Sequence, residues 1–138
     1  QELEIRDKKV LIVDDSIVRG NTSREIVRML KDFGAKEVYF AVACPPVKSP
    51  CFYGVDMPTK SELIAGNMNE DEIGKYLEVD ALLYQNIDDL VEAVTRKGDH
   101  HIDTPCMACL DGNYVVNDID EAKIAEMETM RVNDRNGK

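Results

Sequence analysis

Apolar residues along this chain fall into short blocks separated by acidic or glycine-containing breaks, and the spacing within each block predicts its element. Val10 to Val13 is a continuous apolar run stopped by Asp14 and Asp15. It predicts a short buried strand over 9–13. Ile26, Val27, Leu30 and Phe33 recur at the spacing of one helical face, predicting a helix over 22–33 with Gly34 as its C-terminal cap. VYFAVA, 38–43, predicts a second strand. The first forty residues therefore form a strand–helix–strand unit, which implies a parallel sheet. PPVKSP, 45–50, is a loop, because proline suits neither a helix interior nor a central strand.

Downstream, short helices are expected over 60–65 and 69–77, the second with the acidic start that a helix dipole favours. ALLYQ, 81–85, predicts a third strand. Ile87, Leu90, Val91 and Val94 define one face of a helix over 87–96. The polar stretch KGDHHIDTP separates this α/β body from a tail. That tail holds a cysteine-bearing segment (106–110), a short apolar YVV, and an amphipathic helix over 120–130 whose Met127 and Met130 are expected to pack against the body.

Composition narrows the function. A chain of 138 residues suits one ordinary domain. A formal charge of −10 argues against non-specific nucleic-acid binding and disfavours an anionic membrane surface, since both reward clustered Lys and Arg. No apolar run is long enough for a membrane span, and no signal-like segment precedes the first strand, so a cytoplasmic location is expected. An acidic protein can still bind a phosphorylated metabolite when backbone N–H groups, a helix N-terminus and Mg²⁺ supply the positive field.

The chemistry concentrates in VLIVDDSIVRGNTS, 10–23. A phospho-receiver reading fails on spacing: the acceptor position three residues before Met57 is Gly54, and no lysine–proline pair follows the third strand. A phosphoribosyl-binding reading accounts for each position. Asp14 and Asp15 emerge at the C-terminal end of a parallel strand, where they can accept hydrogen bonds from ribose hydroxyls or hold Mg²⁺. The loop 16–21 can wrap its N–H groups around one anion, with Gly20 permitting close approach or positive φ. Thr22 and Ser23 add hydroxyl donors at the helix start, and Arg19 either extends toward a pyrophosphate or is solvated. The plainer alternative is a strand–turn–helix with an acidic turn and Asn21 or Thr22 as N-cap.

These residues closely resemble the PRPP signature of the glutamine phosphoribosylpyrophosphate amidotransferase family. The resemblance continues through GAKEVYFAVACPPVKSPCFYGVDMPTKSELIA to CMACLDGNYVV, with SIVRG and FYGVDMP its most specific motifs. It implies a type I phosphoribosyltransferase fold and displacement of pyrophosphate from PRPP by glutamine-derived ammonia, the first step of purine synthesis. It assigns Asp14, Asp15, Ser16, Ile17, Val18, Arg19, Gly20, Asn21, Thr22 and Ser23 to PRPP binding, and Asp14 and Asp15 to Mg²⁺. Purine nucleotides are implied as further ligands, and a homo-oligomer as the full-length assembly. Residues 1–97 would be the C-terminal part of the transferase domain and 98–138 a cysteine-bearing tail packed on it. The glutaminase domain and the early transferase strands would lie outside this chain, leaving weak or no turnover by the chain alone. Asp56, in the YGVDMP turn, either borders the nucleotide pocket or merely forms the turn.

The four cysteines allow several readings. In one branch of the family a 4Fe–4S cluster pins the tail to the body. Its ligand motifs match Cys51, Cys106 and Cys109, with the fourth ligand upstream of the signature and Cys44 a small buried non-ligand. DGNYVVNDIDE, by contrast, is more similar to the branch that lacks iron and sulfur. Reduced thiols, zinc shared with His100 or His101, and a redox C-x-x-C pair are the other readings. A non-catalytic module that senses PRPP or a nucleotide is the alternative to an enzyme; the cysteine tail and FYGVDMP favour the enzyme.

Overall fold

The computed structural model describes residues 2–95, 104–116 and 119–135. A one-turn helix, α1 (Glu2–Ile5), leads into strand β1 (Lys9–Asp14), helix α2 (Asn21–Asp32) and strand β2 (Glu37–Val42). A long connection then carries a 3₁₀ turn (Lys60–Glu62) and the short helix α3 (Ile64–Asn67) into helix α4 (Glu70–Leu77) and strand β3 (Ala81–Tyr84). Helices α5 (Ile87–Thr95), α6 (Ala108–Asp111) and α7 (Glu121–Arg135) complete the described elements. The strands are parallel in the order β1-β2-β3, with Ile12 opposite Phe40 and Phe40 opposite Leu82. This is the α/β parallel-sheet class that the apolar pattern predicts.

One face of the sheet is the core. Val38, Phe40 and Val42 point inward from β2 and meet Val27 and Leu30 of α2, and Ile73 and Leu77 of α4. Helix α2 ends as its glycine predicts: Gly34 takes φ +84°, its N–H donates to the Lys31 carbonyl at 2.9 Å, and the Ala35 N–H donates to Leu30 at 3.0 Å. Helix α4 begins at a capping box, in which Asn69 accepts the Glu72 N–H and Glu72 accepts the Asn69 N–H.

The other face of the sheet departs from expectation. Strand β1 is not buried on both sides: Leu11 and Val13 are 59% and 70% exposed, and Leu83 of β3 is 55% exposed. Helices α2 and α4 cover only the opposite face, so among the described residues this apolar face is bare.

The helix expected over 60–65 breaks at Leu63, whose extended backbone (φ −75°, ψ 119°) ends the 3₁₀ turn. Burial decides this, because Leu63 fills a second core with Val47 and Leu110. Helix α7 runs further than expected, and Met130 is exposed rather than packed. A polar clasp does the work assigned to it: Arg131 donates to the carbonyls of Cys51 at 3.0 Å and Met57 at 3.3 Å, and Glu128 accepts the Lys60 N–H. Asp88, Asp89 and Glu92 form the solvated face of α5, as their spacing predicts. His100, His101 and the 97/98 boundary lie outside the described residues.

Phe40 is fully buried at the centre of the sheet. Phe40→Ala is expected to cost about 3–5 kcal/mol through lost burial and the cavity left behind. In a urea titration the midpoint should fall while the slope stays constant.

Candidate functional site

The strand ends deliver the acids. Beyond β2 the ladder continues for two residues, the Ala43 and Cys44 N–H groups donating to the carbonyls of Asp14 and Asp15, both at 2.9 Å. Asp14 Oδ1 accepts the Asp15 N–H at 3.0 Å, and Asp15 Oδ1 accepts the Ser16 hydroxyl at 3.1 Å. Each carboxylate therefore has a second oxygen to offer. Asp14, Ser16, Val18, Arg19, Gly20, Asn21, Thr22 and Ser23 line one open cavity of about 440 Å³. Two members of the expected set stand apart: Asp15 is exposed beside the cavity, and the Ile17 side chain is buried in the main core. Ile17 thus anchors the loop rather than lining it. Asp56 is exposed and does not line this cavity.

Gly20 opens helix α2. It is the N-cap, with φ +78° and ψ −6°, and no side chain caps the helix, so neither Asn21 nor Thr22 takes that position. The first helical bond runs from the Arg24 N–H to the Gly20 carbonyl at 2.9 Å. The N–H groups of Asn21, Thr22 and Ser23 consequently have no acceptor inside the helix. Asn21, Thr22 and Ser23 line the cavity at the positive end of the helix dipole, an arrangement that suits an anion.

A second segment holds the loop from outside. The Val18 carbonyl accepts the Ile64 N–H at 2.9 Å, and a Cβ on Gly20 would stand 2.7 Å from Ile64 Cδ1. Arg19 neither reaches outward nor is simply solvated: its Nε and Nη2 donate to Glu62 Oε1 at 3.1 and 2.8 Å. Glu62 is itself fixed by the Thr59 N–H at 3.0 Å and the Thr59 hydroxyl at 2.9 Å. These two bonds, with Arg19 added, pull its carboxyl from the usual 4.5 down to about 2. Tyr76 of α4 donates its hydroxyl to Asn21 Oδ1 at 3.1 Å, and Arg24 stacks over the Tyr76 ring at 4.6 Å. Sequence reasoning passed over Glu62 and Tyr76. The T-K-S-E capping-box pattern marks Glu62 as a cap, but nothing local links it to Arg19, and no signal marks Tyr76.

Residues 1–58 match the family model described as the phosphoribosyl transferase domain. The amidophosphoribosyltransferase of Methanocaldococcus jannaschii is 50% identical over 110 residues, which is 80% of this chain and 22% of that protein. The chain is an amidophosphoribosyltransferase homologue. A solved structure of the allosteric regulatory enzyme of purine biosynthesis superposes with a TM-score of 0.77 at 38% identity, over 92% of this chain and 27% of that one. A glutamine phosphoribosylpyrophosphate amidotransferase from B. subtilis, complexed with ADP and GMP, gives 0.74 at 38% identity, over 89% and 28%. The chain spans about a quarter of the length of the curated relatives it matches. The architecture is thus part of a phosphoribosyltransferase fold followed by a helical tail.

In this homologue two of the four cysteines, Cys44 and Cys109, pack against the second core. Cys44 and Cys109 are half-buried beside Val47, Leu63 and Leu110, and Cys109 anchors the proline loop by accepting the Lys48 and Ser49 N–H groups on its carbonyl at 2.9 and 3.0 Å. Burial pushes both thiols up; Asp15 adds to this for Cys44, and the neighbouring Cys44, Cys51 and Cys106 add to it for Cys109. Cys51 is half-buried, with Sγ accepting the Tyr53 N–H at 3.4 Å, and Cys106 is exposed. Among the described residues no three His, Cys, Asp or Glu side chains converge to hold a metal ion.

Two outcomes follow. The folded-state carboxyl of Glu62 lies below its unfolded value, so its contribution to stability is full above about pH 4.5 and fades as pH falls toward 2. Urea midpoints of wild type and Glu62→Gln should differ at neutral pH and converge on acidification. With iodoacetamide, Cys106 should be alkylated first, and Cys44 and Cys109 should lag by about tenfold or more, as peptide mass spectrometry would read.

Proposed function

We propose that this chain is the PRPP-binding portion of an amidophosphoribosyltransferase, serving replacement of the pyrophosphate on C1 of PRPP by ammonia to give 5-phosphoribosylamine. The observation that carries this reading is the uncapped start of α2 opening into a cavity beside paired strand-end carboxylates. The N–H groups of Asn21, Thr22 and Ser23, with the Thr22 and Ser23 hydroxyls, hold the 5′-phosphate. Asp14 and Asp15 accept hydrogen bonds from the ribose hydroxyls and orient the ring. The C1–O bond then breaks with its electron pair leaving on pyrophosphate, the ammonia lone pair forms the C1–N bond, and a proton passes to solvent. The protein contributes positioning and fixed dipoles rather than covalent chemistry.

Two adjacent carboxylates with oxygens to spare fit Mg²⁺, which is held by one or two carboxylates with substrate oxygens completing its shell. Asp14 and Asp15 would hold it, and its charge would neutralise the departing pyrophosphate. Cys51, Cys106 and Cys109, the last with a thiol raised in part by the other two, would be the ligands of a 4Fe–4S cluster whose fourth ligand lies outside this chain. Residues 1–97 form the C-terminal part of the transferase domain, and 98–138 the tail packed on it. The bare face of Leu11, Val13 and Leu83 is where the remainder of such a domain packs, which is why this chain alone turns over weakly or not at all. Purine nucleotides as ligands, homo-oligomeric assembly and a cytoplasmic location belong to the same reading.

Calorimetric titration with PRPP tests it. Saturable binding that requires Mg²⁺ is expected, weakened about tenfold or more in Asp15→Asn, as loss of a charge-assisted contact implies. A folded chain that binds neither PRPP nor inorganic phosphate would overturn the reading.

A further inference from the structure

We infer that Glu62 is a specificity-determining residue for the anion cavity: by holding Arg19 it keeps that cation off the bound anion, so that anions are ranked by their fit to backbone donors and not by their charge. The inference deepens the phosphate-binding role proposed for this loop and rests on it. Arg19 is the cationic side chain among the residues that line the cavity, and both of its donating nitrogens in the pair turn to one carboxylate oxygen of Glu62. The proposed substrate carries a phosphate monoester at one end and a diphosphate at the other. An unpaired arginine in the wall would attract the more highly charged diphosphate and favour the substrate seated backwards. Pairing that arginine with a carboxylate removes the advantage of extra charge and leaves shape to decide.

The Glu62 carboxylate is divided between two tasks. Oε1 accepts Nε and Nη2 of Arg19, while Oε2 accepts both the N–H and the hydroxyl of Thr59. Thr59 is buried, and its hydroxyl also pairs with Ser61 Oγ at 3.0 Å. Asn67 pins the turn itself, its Nδ2 donating to the carbonyls of Lys60, Ser61 and Leu63 at 3.3, 3.1 and 2.8 Å. The carboxylate is thus fixed independently of Arg19, which removes much of the side-chain entropy loss that makes exposed ion pairs weak. The loop is tied to the same segment beside the pair, because the Val18 carbonyl accepts the Ile64 N–H at 2.9 Å. One backbone bond and one ion pair therefore hold adjacent loop residues against a single rigid turn.

Glu62→Gln separates the ion pair from the cap. The Thr59 N–H needs an acceptor, so the amide oxygen takes the Oε2 place and the NH₂ group faces the guanidinium, from which it can accept nothing. Inorganic phosphate and inorganic pyrophosphate are titrated without Mg²⁺ into ¹⁵N-labelled full chain, and the amides of Asn21, Thr22 and Ser23 are followed. Glu62→Gln is expected to tighten pyrophosphate about tenfold, the equivalent of one charge-assisted hydrogen bond, and phosphate about threefold or less. Adding Arg19→Ala should remove the gain. In wild type the Arg19 Nε–H signal should stay in place as either anion saturates. Unchanged pyrophosphate affinity in Glu62→Gln, an equal gain for both anions, or a gain that survives Arg19→Ala contradicts the inference. So does a wild-type Arg19 Nε–H signal that moves with the anion. If wild type binds neither anion, the proposed function falls. Glu62 is then judged on the variants alone: Arg19-dependent pyrophosphate binding must appear in Glu62→Gln, and its absence rejects the inference.

Discussion

The conformation of Gly20 is the constraint on which the site depends. A positive φ at this point lets the chain leave the buried Ile17 anchor, turn, and enter α2 without a side-chain cap. Any other residue would meet both an unfavourable backbone region and the Ile64 and Tyr76 side chains where its Cβ must go. That close approach lets Ile64 bond the Val18 carbonyl, lets Glu62 reach Arg19 and lets Tyr76 reach Asn21. One turn of backbone thus sets the shape of the loop and the segment that supports it.

The same arrangement would reconcile an acidic protein with the anionic ligand proposed for it. The side-chain cation in the cavity wall, Arg19, is already paired with a carboxylate that stays ionised far below neutral pH. In the proposed reading, the attraction for phosphate therefore comes from peptide dipoles at the helix start, which are local and insensitive to a net charge of −10. Asp14 and Asp15 stand at the end of the adjoining strand, so groups that repel phosphate and groups that attract it are separated along one loop. A substrate carrying phosphate at one end and hydroxyls at the other matches that order.

How legible this was depended on the range of the interactions. Strands β1 and β2 and helix α2 could be read because their periodicity and terminal residues are local, down to Gly34 as the helix stop. The break at Leu63 could not, since a tertiary pocket between Val47 and Leu110 overrode the helical pattern. The burial of Ile17 was hidden for the same reason: its neighbours on both sides line the cavity. The cavity-lining members of the DDSIVRGNTS run were readable from residue type and spacing. Their supports at Glu62 and Tyr76 were not, because each pair forms only when residues 43 or 55 positions apart are folded together. The exposed face of β1 was misjudged from hydrophobicity, which reports what a strand tolerates and not which partners are at hand.

That bare face has a colloidal consequence. Among the described residues, Leu11, Val13 and Leu83 form an oily strip on a three-stranded sheet whose outer strands, β1 and β3, each leave a row of peptide groups without a strand partner. Two such surfaces meeting would gain both apolar contact and cross-chain hydrogen bonds. Long-range repulsion between molecules of charge −10 opposes that encounter, and its reach shrinks from about 30 Å to about 3 Å between 0.01 M and 1 M salt. Dispersal of this chain in water is therefore an electrostatic condition laid over a sticky surface, and ionic strength governs it more than the integrity of the fold does.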